Sequence, residues 1–117
     1  MGIERFEDII AWQKAKELTV QIYRLFEESK DFGFKEQIQR ASVSVMNNIA
    51  EGFERNSNKE FRNFLFITKG SCAEVRSMLN LALELKYISK EVSDNLKKSS
   101  LEISKMLSGL IKTLQTL

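Results

Sequence analysis

The 117-residue chain contains no histidine and no proline, and its one cysteine is Cys72. Without histidine there is no histidine-based triad, no histidine general acid or base, and no His-ligated zinc or haem. A single cysteine can neither close an intrachain disulfide nor supply a cluster for zinc or iron–sulfur. The lack of proline removes the strongest helix breaker, and only five glycines punctuate the chain: Gly2, Gly33, Gly52, Gly70 and Gly109. Long apolar runs are missing as well. No uncharged stretch approaches about 18 residues, so no transmembrane helix is expected. The opening residues, with charges at Glu4, Arg5, Glu7 and Asp8, do not read as a secretory signal. These absences predict a cytoplasmic protein without catalytic residues, cofactor, metal or membrane contact.

What is present suits one folded domain. Hydrophobic residues make up 43% and charged residues 29%, a balance that forms a core and keeps its surface solvated. A chain of this length buries about 65% of its unfolded surface, enough for a core without disulfides or metals. Apolar residues recur at spacings of three and four in four blocks, which predict helices over about 8–29, 35–55, 58–87 and 89–117. The first block carries Trp12, Ala15, Leu18, Thr19, Ile22, Leu25 and Phe26 on one face. Lys30 to Phe34 interrupts the pattern and reads as a loop. The second carries Ile38, Ala41, Val45, Asn48 and Gly52, flanked by Ile49 and Phe53. Ser57 with Glu60 forms a capping-box pattern at the start of the third, and Ser89 is the N-cap expected for the fourth. The fourth repeats Leu96, Ile103, Leu110 and Leu117 every seven residues. Four amphipathic helices with short connections predict an all-α fold, an antiparallel up-and-down four-helix bundle spanning residues 1–117 as one domain.

The third block shows two apolar seams. Phe61, Leu65, Thr68, Cys72, Val75, Leu79 and Ala82 form one. Ile67, Gly70, Glu74, Met78, Leu81, Leu85 and Ile88 form a second, roughly 135° away at 100° per residue. One reading is a helix that contacts its own bundle on one side and another subunit on the other, which makes Ile67, Gly70, Glu74, Met78, Leu81 and Leu85 an oligomer interface. The alternative is that this helix is the most buried of the four. Glu74 on an apolar seam calls for a partner, with Arg40 and Arg76 as candidates.

Several residues have the chemistry of candidate sites. Asn48, on the core stripe of the second helix, reads as a polar pin that fixes helix register, because a buried amide must be hydrogen-bonded. Glu51 and Glu54 lie one turn apart, but diiron bundles draw on Glu-x-x-His motifs, so Glu51 reads as a structural polar residue. Cys72, with no base to activate it, reads as a small core residue. Charge is uneven: residues 1–58 hold 8 basic and 10 acidic side chains, residues 59–117 hold 10 and 6. On the fourth helix Lys98, Lys105 and Lys112 recur every seven residues away from the apolar seam, with Lys90 and Lys97 beside them. Such a row can track phosphates, and it also serves solubility.

The run Arg40-Ala41-Ser42-Val43-Ser44-Val45-Met46-Asn47-Asn48-Ile49-Ala50-Glu51-Gly52-Phe53, with Glu60 to Leu65 and Lys69-Gly70-Ser71-Cys72-Ala73-Glu74, resembles the four-helix-bundle proteins encoded by intervening sequences of bacterial 23S rRNA genes. Phe6-Glu7-Asp8 and Trp12 to Ala15 are similar too, so the resemblance covers essentially the whole chain. Met46 stands where that family commonly carries proline. The resemblance implies a ring-like homopentamer of antiparallel bundles with no catalytic residues to carry over. Similar bundles include the accessory variability determinant of diversity-generating retroelements, a basic pentamer that binds nucleic acid and a reverse transcriptase. Through that relative the resemblance implies RNA or DNA binding, for which the chain's own charge pattern offers Lys98, Lys105 and Lys112, with Lys90 and Lys97, as the contact residues. The competing expectation is a protein-interaction scaffold, such as a reverse-transcriptase accessory subunit.

Overall fold

A computed structural model describes residues 2–117. Four helices, α1 (Ile10–Leu25), α2 (Phe32–Phe53), α3 (Asn58–Glu84) and α4 (Lys90–Gln115), run up and down in an antiparallel bundle of 46 × 21 × 20 Å. The expected seams close on one another. Leu18, Ile22, Ile38, Val45, Ile49, Leu65, Val75, Leu79, Ile103 and Leu107 are all sealed from solvent. Every residue of the first α3 seam is buried.

The helix ends differ from the sequence expectation, each for a local reason. Residues Phe6–Asp8 form a separate 3-10 turn, and α1 starts two residues late, at Ile10. The Phe6 ring packs edge-on against Trp12 at 5.1 Å and anchors this turn. At its other end α1 stops at Leu25, which leaves Leu25 37% exposed while Phe26 turns inward against Phe34. The expected Lys30–Phe34 loop is instead the start of α2. The Asp31 carboxylate accepts the Phe34 N–H at 3.2 Å and caps a helix that begins at Phe32. Asp31 also accepts the Tyr87 hydroxyl at 2.7 Å, tying the α3–α4 turn to the start of α2. That bond, then the Phe34 N–H, hold the Asp31 carboxyl below its usual range.

α3 ends at Glu84, three residues early, because Lys86 adopts a left-handed backbone with φ 61°. The Lys86 N–H reaches the Leu83 carbonyl and the Tyr87 N–H reaches Ala82, the double bond that closes many helices. Lysine occupies the position that glycine or asparagine usually takes, so no residue type announces the stop. Ser57 and Ser89 cap α3 and α4 as expected, through the Glu60 and Val92 N–H groups. The Glu60 carboxylate accepts the Ser57 hydroxyl at 3.2 Å, where a full capping box would bring it to the backbone. α4 ends at Gln115, so Leu117 falls outside its seam and is 66% exposed.

α2 and α3 leave their turn in close contact. Gly52 is buried, and a methyl group there would meet the Phe64 Cβ at 2.6 Å and the Phe61 Cδ1 at 3.0 Å. Further along the same interface, Ser44 Oγ and Ser71 Oγ are 2.9 Å apart, and Asn48 donates to the Ser44 hydroxyl and carbonyl.

Candidate nucleic-acid interface

The outer face where α3 and α4 run side by side collects basic residues from both helices. On α3, Arg62, Lys69 and Arg76 recur every seven residues, about 10 Å apart along the axis. Each reaches across to α4. Arg62 Nη1 donates to the Leu114 carbonyl at 3.3 Å, Lys69 Nζ to Ser108 Oγ at 2.7 Å, and Arg76 Nη1 to Ser100 Oγ at 3.3 Å. From the other side Lys97 Nζ donates to Asn80 Oδ1 at 3.0 Å. Lys105 and Lys112 are exposed and lie one turn to either side of Ser108.

Every one of those four cross-helix partners is a neutral oxygen. Hydrogen bonds to hydroxyl, amide and carbonyl groups hold the cations in place but leave their charge uncompensated. Among the described residues the ion pairs are Arg5 with Glu7 and Asp8, Arg40 with Glu36, Lys90 with Asp94, and Lys97 with Asp94 at 4.0 Å. Arg62, Lys69 and Arg76 appear in none of them. The acids nearby point elsewhere. Glu74, the only acid between residues 61 and 83, lies on the second α3 seam. Glu102, the only acid between 95 and 115, lines a hollow with Lys14, Glu17 and Gln21 on the α1 side.

The five lysines named from the sequence therefore divide. Lys105 and Lys112 flank the basic face, and Lys97 is half-buried within it. Lys98 is exposed one turn from Glu102, toward the α1 side. Lys90 is engaged by Asp94 at 2.8 Å. The arginines and lysine of α3 escaped the sequence reading, although their seven-residue spacing matches that of Lys98, Lys105 and Lys112. The row lies between the two apolar seams of α3, whose stronger periodicity masks it.

The other candidates are placed as follows. Of the second α3 seam, Ile67, Leu81 and Leu85 are 54%, 47% and 46% exposed, while Met78 and Ile88 are buried. Beyond its chain neighbours and the backbone of its own helix, Gly70 has no atom within 4 Å of where a side chain would begin. Glu74 is exposed, and neither expected arginine meets it: Arg40 pairs with Glu36 and Arg76 with Ser100. Asn48 is half-buried at the α2–α3 edge, in the serine network. Glu51 is exposed and lines a shallow hollow with Phe6, Glu54 and Arg55. Cys72 is completely buried, and burial pushes its thiol up to about 11, so it is not a thiolate at neutral pH. Lys69 and Arg76 lie one turn from it, and their opposing pull is weaker than the effect of burial. Among the described residues no helix is long and apolar enough to cross a membrane.

Residues 7–109 match the sequence pattern of the 23S rRNA-intervening sequence proteins. The chain belongs to that family. A solved structure from Bacteroides thetaiotaomicron VPI-5482, described as a protein with unknown function from the S23 ribosomal protein family, is similar over most of the chain. It is 31% identical, with a TM-score of 0.82 over 88% of this chain and 99% of that one. No curated protein matches the chain. In this intervening-sequence protein the stretch Asn48-Ile49-Ala50-Glu51-Gly52 has a packing role at three positions. Asn48 joins the serine network, Ile49 fills the core, and Gly52 admits α3.

Proposed function

We propose that this intervening-sequence protein is a non-enzymatic, homo-oligomeric protein of the cytoplasm that holds RNA on the α3–α4 face. The observation that carries the reading is the row Arg62, Lys69 and Arg76, cross-linked to α4 through neutral oxygens and free of carboxylates. With Lys97, Lys105 and Lys112 it forms a positive strip suited to a phosphate backbone. The buried, protonated Cys72 and the lack of histidine support a binding role over a catalytic one. Titration of labelled RNA by fluorescence anisotropy tests it. Six phosphate contacts to a single strand give log K against log salt a slope of about −4. Binding that is absent, or indifferent to salt, overturns the reading.

The exposed Ile67, Leu81 and Leu85, with open space at Gly70, support self-association through the second α3 seam. The pentamer number rests on the family resemblance. Replacing Ile67 and Leu81 by Asp is expected to leave helix content unchanged and release monomers in sedimentation. A wild-type mass of 13.5 kDa would contradict assembly. The same seam favours, as second reading, a scaffold that docks a protein such as a reverse transcriptase, whose binding would resist salt.

A further inference from the structure

Phe66 has no evident use in the fold. It lies in mid-α3 one turn from both Arg62 and Lys69 and is 54% exposed. The aromatic pairs among the described residues (Phe6–Trp12, Phe26–Phe34, Phe34–Tyr87 and Phe53–Phe61) leave it out, whereas Phe64 carries the Arg55 guanidinium at 4.9 Å. Its two cationic neighbours are held by the Leu114 carbonyl and by Ser108, so they frame the ring without covering it as an ion pair would. Leu101 is placed alike on α4, 47% exposed and one turn from Lys97 and Lys105.

An aromatic ring between unneutralised cations fits one ligand chemistry closely. Single-stranded nucleic acid offers phosphates to the cations and unstacked base faces to the ring, and any base can stack. A duplex offers the phosphates but keeps its bases stacked inside, so the ring gains nothing from it. We infer that the α3–α4 face selects single-stranded RNA over duplex, with Phe66 as the platform on which an unpaired base stacks. The inference rests on the RNA-binding reading and adds the form of RNA.

The test uses the full chain and two probes, a 12-nucleotide oligo(A) strand and the same strand paired with oligo(U). The single strand is expected to bind about 10-fold more tightly than the duplex. Phe66→Leu keeps an apolar side chain but removes the ring, and is expected to lose about 10-fold on the single strand and little on the duplex. Phe66→Tyr keeps the ring and should bind like wild type. Equal affinity for the two probes, or an unchanged Phe66→Leu variant, overturns the inference while leaving RNA binding intact. A Phe66→Leu protein whose sedimenting mass falls also overturns it, because the ring then serves a subunit contact. If neither probe binds the wild-type protein, the RNA-binding reading fails and this inference with it.

Discussion

Gly52→Ala is expected to destabilise the protein by about 2 kcal/mol and lower its melting temperature by about 10 °C. In an exposed helix interior the same change is favourable by about 1 kcal/mol, because alanine has the better helix propensity. At Gly52 the added methyl would sit 2.6 Å from the Phe64 Cβ and 3.2 Å from its Cγ. A Cβ is fixed to the α3 backbone and cannot swing aside, so α2 and α3 must separate. Separation at this point disturbs Phe61, which is buried and packs edge-on against Phe53 at 5.9 Å. Gly109→Ala provides the control, since beyond its chain neighbours and its own helix backbone nothing lies within 4 Å of the added methyl, and it is expected to stabilise by about 1 kcal/mol. Thermal unfolding of the two variants checks both signs. A Gly52→Ala protein as stable as Gly109→Ala would contradict the close helix approach.

The contrast between these glycines shows what was legible in the chain and what was not. Spacings of three and four placed Leu18, Ile22, Val45, Leu65, Leu79 and Ile103 in one core, because helical period and burial are read from the same residues. Ser57 and Ser89 were legible as caps because hydroxyl residues stood just before a periodic run. Asp31 was the same signal, but Phe32, Gly33 and Phe34 behind it resembled a loop more than a first helical turn. Lys86 carried no stop signal, since its left-handed backbone is imposed by the surroundings and not by residue type.

The binding face was half legible for a different reason. The lysines of α4 stood out as a row on one helix. Their counterparts on α3 matter because α3 lies antiparallel beside α4, bringing Lys69 to Ser108 and Arg76 to Ser100. Which two helix faces meet is a property of the topology, and no single-helix periodicity contains it. The same knowledge moves Lys98 toward the margin, whereas the Lys90–Asp94 pair is a contact four residues apart within α4 that the sequence itself offers.

Replacing Arg62, Lys69 and Arg76 together by Gln is expected to weaken RNA binding on the order of 100-fold near physiological salt. Glutamine retains an amide that can hydrogen-bond the α4 oxygens, so the bundle is expected to keep its helicity. Loss of three phosphate contacts to a single strand should also flatten the salt slope by about 2. Replacing Lys90 and Lys98 by Gln should change affinity far less, since the first is paired and the second lies toward Glu102. The most direct measurement is therefore the affinity of one single-stranded RNA for wild type and for both sets of variants, across a range of salt. A steep slope is expected for wild type, a flattened slope and weak binding for the α3 variant, and near-wild-type behaviour for the Lys90 and Lys98 variant. Wild-type affinity and slope in the α3 variant would contradict RNA binding at the α3–α4 face.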